Sequence, residues 1–314
     1  MKKSLWAPHL IKSLKIAAAA FAAIAIAGEL GLKYPATAGI ITVLSIQNTK
    51  RDTLKSAGNR YLAFLCALIL SGFCFTLIGY NLWAFGIYLF LFALFCLSFG
   101  WTEAIAMDSV LITHFLAEQN MGLKMLANEV LLLLVGIGMG ILVNMHLHKK
   151  EAKFQKLADE VDGQIRGILQ RMSIWLPEDN KSGYGADCFE KLEKAIHETE
   201  MCAISNYGNT VFSKSAYELN YINIRKKQSS ILREIYDNIV RIQFLPVQAK
   251  QVAELLGQIG DNFYKKNSVE DLLEKQNKQI MQMKEQPLPL SREEFEARAI
   301  LFYILMQIKQ FLEI

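Results

Sequence analysis

The sequence is poor in charge, proline and paired cysteine, and each shortage excludes a class of protein. Charged side chains make up 20% of the 314 residues. The shortage is local, because no charged residue occurs between Arg60 and Glu103. A water-soluble core does not need so long an uncharged run, so a soluble enzyme domain is excluded over this part of the chain. The six prolines fall outside the apolar runs from Tyr61 onward, leaving those runs free to form uninterrupted helix. The five cysteines show no CxxC spacing, and Cys66, Cys74 and Cys96 lie within apolar segments. A disulfide scaffold or zinc site is therefore not expected, and all five are read as reduced thiols. The alternating pattern of strands, glycine-rich phosphate loops and nucleophile constellations are also missing, which argues against an enzyme and against a bound cofactor.

What the sequence does contain divides into two parts. The first 146 residues hold ten Lys/Arg and six Asp/Glu, whereas the remaining 168 hold 24 of each. The balance in the second part leaves no concentrated basic face for nucleic acid. The fold expected is all-α: a six-helix transmembrane module over 1–148, followed by a cytoplasmic helical bundle over 149–314.

A spanning helix needs about 20 apolar residues. Candidate segments are Leu14–Leu32, the short Tyr34–Gln47 opened by Pro35, Tyr61–Gly79, Leu82–Gly100, the more polar Trp101–Phe115, and Asn128–Leu147. Glu29 and Lys33 are spaced as an i,i+4 pair near an interface. Basic residues gather before the first segment (Lys2, Lys3, Lys12, Lys15), after the second (Lys50, Arg51, Lys55, Arg60) and after the sixth (Lys149, Lys150, Lys153, Lys156). Cytoplasmic loops collect such residues, so six crossings place both termini inside a bacterial plasma membrane. A competing reading takes the basic start and Ala25-Ile26-Ala27 as a cleaved secretory signal, leaving five spans.

Ionisable groups at membrane depth are costly and therefore functional candidates. Helical spacing puts Glu103, Met107, Val110 and His114 on one face of the fifth segment. The plain alternative is that Glu103 and His114 sit at opposite interfaces. Asp108 lies nearer the middle and is the stronger proton-coupling candidate, with Glu29, Glu103 and His114 as the others. Arg60 opens the third span and Asn144 closes the sixth. Arg60 is read either as an anion contact or as a positive-inside anchor. Gly136, Gly138 and Gly140 form a small-residue strip suited to close helix packing.

Beyond His148 the pattern is helical throughout: a first helix continuing from the sixth span through Lys150 to Trp175, a second ending near Gly208, a long one from Ser213 to Gly257 bent at Pro246, a short one from Ser268, and a last one capped by Ser291 with Glu294. The long helix carries a stripe of Tyr217, Tyr221, Ile224, Ile231, Ile235, Ile239 and Ile242, read as a bundle core or dimer seam. His146 and His148 are two apart and so do not form a metal pair on one helix face.

Together, the Ala-rich first helix, Pro35-Ala36-Thr37-Ala38-Gly39, the run Val43-Leu44-Ser45-Ile46-Gln47-Asn48-Thr49, the basic linker to Arg60 and the sixth helix closing at Asn144 resemble the bacterial aromatic acid exporter family, within the broader fusaric acid resistance group. The charged helical half is similar to the C-terminal domain of one branch of that family. The resemblance implies a homodimer of single modules exporting a small organic anion, an aromatic carboxylic acid or a relative of one, in exchange for protons. It also implies that Arg60, Thr42, Ser45, Gln47 and Asn144 lie along the substrate pathway. The competing function is a non-transporting membrane anchor carrying a helical module for partner binding or membrane sensing. A membrane enzyme lacks any catalytic set.

Overall fold

The computed structural model describes residues 6–145, 150–181, 183–210, 216–263 and 269–314. These contain twelve α-helices and no strand. The chain divides into two compact units, one of residues 1–149 with 208–214 and one of 150–207 with 215–314.

The first unit holds α1 (Trp6–Glu29), α2 (Ala36–Ser45), α3 (Lys50–Ile78), α4 (Leu82–Phe99), α5 (Thr102–Glu118) and α6 (Leu123–Met145). Among the described residues, four helices are long and apolar enough to cross a membrane: α1 from Leu10, α3, α4 and α6. The ten residues of α2 and the 17 of α5 correspond to only about 15 and 26 Å of rise. Three boundaries have clear local causes. Thr49 caps α3 by accepting from the Asp52 amide at 3.2 Å, and Asn81 caps α4 by accepting from the Ala84 amide at 2.9 Å, each satisfying an orphan N–H. Gly100, at φ +72°, ends α4 in the left-handed conformation that glycine adopts without strain.

The helix α2 packs against α6 and α1. The glycines of α6 explain how it comes so close. A Cβ on Gly136 would lie 2.4 Å from Ile41 Cγ2, and one on Gly140 would lie 2.6 Å from Ser45 Cβ. Gly138 has open space around its Cβ direction, so the strip works as the 136/140 pair. Thr42 hydrogen-bonds across to the Gly136 carbonyl at 3.1 Å. Gly136→Leu should therefore force α2 and α6 apart and lower stability by about 2 kcal/mol, read as a fall in the thermal midpoint. Gly138→Leu should leave it within about 0.5 kcal/mol of the parent.

The second unit comprises α7 (Glu151–Trp175), α8 (Asp187–Gly208), α9 (Tyr217–Arg241), α10 (Ala249–Asn262), α11 (Val269–Lys284) and α12 (Arg292–Glu313). The Ile231, Ile235 and Ile239 stripe of α9 is buried together with Val161, Ile165 and Leu169 of α7, Leu256 of α10 and Leu301 and Leu305 of α12. Three expectations are corrected here. The long helix ends at Arg241 rather than bending at Pro246, because a residue preceding proline is pushed out of helical conformation and Pro246 cannot donate to the ladder. Tyr217 is 70% exposed and does not belong to the stripe, whereas Ile222, Leu232 and Tyr236 are buried and do. At Ser291 the hydroxyl caps Glu294 N as expected, and the Glu294 carboxylate reaches back to Leu290 N. Lys150 is non-helical ahead of α7, so α7 does not run on from α6 without interruption. His146, His148 and the start points Ser213 and Ser268 lie outside the described residues.

Asp162 ties α7 to α9. Its Oδ1 accepts from Tyr221 Oη at 2.7 Å and from Arg225 Nε at 2.6 Å. Arg225 also lies over the rings of Tyr221 and Phe263. Burial and the hydrogen bond to Asp162 push the Tyr221 phenol pKa upward. Asp162→Ala should leave a half-buried guanidinium without its counter-ion and cost about 3 kcal/mol, measured by thermal unfolding of the full chain.

Candidate functional site

Two polar clusters interrupt the apolar interior of the first unit, one at each end of α5. The first gathers around Arg60, which is 3% exposed. Its guanidinium donates to the Leu44 carbonyl at 2.7 Å and to Ser45 Oγ at 3.1 Å. It also lies 3.5 Å from Glu103 Oε2. The same Glu103 oxygen accepts from Ser56 Oγ at 2.6 Å and from Gln47 Nε2 at 3.1 Å. Gln47 follows α2, Ser56 and Arg60 are on α3, and Glu103 opens α5, so three elements are pinned at one carboxylate. A cleft of about 370 Å³ opens here, lined by Gln47, Asp52, Lys55, Asn59, Trp101 and the residues just named. Its lining mixes Lys55 and Arg60 with Asp52 and Glu103, and the ring of Trp101 adds an aromatic surface. Such a lining can receive an aromatic anion, because a guanidinium offers a planar fork to a carboxylate.

Behind this cleft, one and a half turns along α5, Asp108 has no exposed surface. Neither of its carboxylate oxygens has a hydrogen-bond partner among the described residues, and the buried Arg60 Nε is likewise unpartnered there. A buried ionised carboxylate without partners is very costly.

The second cluster lies at the far end of α5, about 16 Å from Glu103 at helical rise. His114 Nδ1 and Glu129 Oε2 are 2.7 Å apart, with side-chain exposures of 9% and 0%. Glu129 Oε1 accepts from Asn128 Nδ2 at 2.9 Å, and Thr37 Oγ1 lies 3.4 Å from His114 Nε2. Lys33 Nζ donates to Glu118 Oε2 at 2.5 Å and Tyr34 Oη donates to Glu118 Oε1 at 3.0 Å. That carboxylate holds the Lys33 ammonium above the ordinary lysine range.

The expected site residues thus separate. Arg60, Ser45, Gln47 and Glu103 come together, with Asp108 behind them. His114 belongs to the opposite cluster. The face drawn through Glu103, Met107, Val110 and His114 is broken, since Met107 is buried while Val110 is 39% exposed. Thr42 points at α6 rather than into the cleft. Asn144 bonds the Gln47 carbonyl and Thr53 Oγ1, fixing the α2–α3 connection. Glu29 is exposed at the end of α1, and the turn at Gly31, φ +66°, carries Lys33 away from it to Glu118. The expected Glu29–Lys33 pair is replaced by Lys33–Glu118. Glu129, Glu118, Lys33, Tyr34 and Asn128 were not among the candidates, although a glutamate inside the sixth apolar run is itself a signal.

Comparison with known proteins identifies the family. Residues 10–147 match aromatic acid exporter family member 1, and residues 151–314 match the aromatic acid exporter C-terminal domain. The protein YqjA of Bacillus subtilis (strain 168) is 28% identical over 303 residues, covering 96% of this chain and 94% of that protein. A crystal structure of a membrane protein from Clostridium difficile 630 is 28% identical and covers 51% of this chain and 94% of its own, with a TM-score of 0.45. The two matched segments account for nearly the whole sequence: the chain belongs to the aromatic acid exporter family.

Proposed function

We propose that the protein is an inner-membrane efflux transporter that exports aromatic carboxylic acids or related small organic anions in exchange for protons. In this reading α1–α6 make six crossings with both termini cytoplasmic. The half-length α2 is tolerated because it packs on α1 and α6 and because Arg60 satisfies the Leu44 carbonyl near its end. The helices α7–α12 form a cytoplasmic bundle, and two copies pair as a homodimer around one pathway. The cleft at Arg60 is then the inner entrance, where the guanidinium meets the substrate carboxylate and Trp101 meets its ring. Asp108 carries the coupling proton, and Glu103 keeps Arg60 occupied when no substrate is bound.

The observation that carries this reading is the pairing of a buried arginine, open to a cleft, with a fully buried and unpartnered carboxyl on the neighbouring helix. Ionisable groups at such depth are costly to keep and are functional candidates by default. The test is efflux from cells preloaded with a panel of labelled aromatic acids. Label should leave cells that contain the protein, and a protonophore should abolish the difference from cells lacking it. Equal retention by both cell types across the panel, with the protein present in the membrane, would sink the proposal in favour of an anchored helical module.

A further inference from the structure

The cluster at the far end of α5 has the layout of a covered proton site. Glu129 is wholly buried and has two hydrogen-bonding partners, one of them an imidazole. A carboxyl and an imidazole in direct contact can share one proton or hold two, because an imidazole is a side chain able to change charge. Over it runs the linker between α1 and α2. Its backbone is strained: Tyr34 has φ +59°, a left-handed conformation in which a Cβ crowds the following carbonyl oxygen. Three restraints hold the linker there. The Tyr34 ring stacks on the His114 ring with centroids 4.1 Å apart and planes 11° from parallel. The main chain of Lys33 is clasped on both sides by the Asn128 amide, at 2.7 and 3.2 Å. Lys33 and Tyr34 both bind Glu118. Two of these three anchor points, His114 and Asn128, are also partners of Glu129.

We propose that Glu129 with His114 is a second proton-binding site, on the outer side of the membrane, and that residues 30–35 form a lid which opens when the pair takes up its second proton. With one proton the pair is neutral overall. A second proton, added from external water with no other bond broken, leaves a neutral carboxyl beside an imidazolium. The buried site is then positive beneath the Lys33 ammonium, and the Asn128 clasp loses its charged acceptor. Repulsion and the stored strain at Tyr34 both favour release. The other charges at this end are Glu118, which holds the lid shut, and the exposed Glu29 and Lys124 at the neighbouring ends of α1 and α6. The proposal rests on the exporter reading for its orientation and for the use made of the proton.

The test needs no substrate. Thr37→Cys places a thiol under the lid, and Asn120→Cys places one in the exposed α5–α6 turn as a reference for reagent chemistry. Right-side-out cells are treated with a membrane-impermeant maleimide, with the parent chain as background. Labelling in T37C relative to N120C should rise about fivefold from about pH 8 to about pH 5.5. Glu129→Gln should flatten this dependence, and His114→Asn should do the same should the first variant not accumulate. Lys33→Ala or Glu118→Gln should raise labelling already at the higher pH. A pH-independent ratio in the parent background, an unchanged slope in both pair variants, or no rise in either latch variant would overturn the proposal. Failure of N120C to label from outside would refute the orientation and the proposal with it. Absence of efflux alongside an intact pH response would refute the exporter reading alone.

Discussion

Asp108→Asn should abolish coupled efflux while leaving the fold intact. Amide and carboxyl have nearly the same shape, and the native carboxyl has no partner for either oxygen among the described residues. Replacing it breaks no hydrogen bond and removes a group that is expensive to ionise, so stability should stay within about 1 kcal/mol of the parent or rise. Efflux should fall at least about tenfold, because an amide cannot carry the proton. This dissociation of stability from activity separates a proton carrier from a structural carboxylate, whose loss would lower both. Full activity in the variant would remove Asp108 from the mechanism.

Arg60→Ala should abolish efflux as well, but with a measurable loss of stability. Its guanidinium satisfies the Leu44 carbonyl at the end of α2 and Ser45 Oγ, and without it those buried acceptors lose their donor at a cost of about 2 kcal/mol. Arg60→Lys should restore part of the stability and little of the transport. An ammonium is a point charge on a shorter reach, and it cannot serve two acceptors while presenting a planar fork to a carboxylate. Efflux and thermal midpoint measured on both variants decide the matter: transport restored by lysine would make Arg60 an anchor for α2 and nothing more.

The apolar runs and their charged flanks exposed much of the fold in advance. The third, fourth and sixth spans are legible because nothing but uninterrupted helix satisfies an uncharged run of that length. The starts of α3 at Lys50 and α6 at Leu123 were less legible, since polar helix extends beyond each apolar run, and hydropathy is silent on where a polar helix begins. The break between α9 and α10 was underestimated because the amphipathic stripe continues on both sides of Pro246.

Candidate residues were legible where depth marked them. Asp108 and Arg60 stand out as ionisable groups beside long apolar runs. The Glu29–Lys33 expectation failed because i,i+4 spacing means proximity only within a helix, and α1 ends at Glu29. Glu129 was missed although it lies inside an apolar run, and its partner His114 is fifteen residues away on another helix. The pairing of Lys33 with Glu118 depends on a left-handed turn that no periodicity reports. Tertiary contacts between helices, rather than local pattern, assemble both clusters.

The central claim is that an inward proton gradient drives an organic anion outward through this chain. The direct measurement uses purified protein in vesicles loaded with a labelled aromatic carboxylic acid, given an abrupt external acidification. Release should accelerate about tenfold over protein-free vesicles, and the acceleration should vanish in Asp108→Asn vesicles and when an ionophore collapses the gradient. Release that matches protein-free vesicles, or that ignores the gradient, would contradict the account.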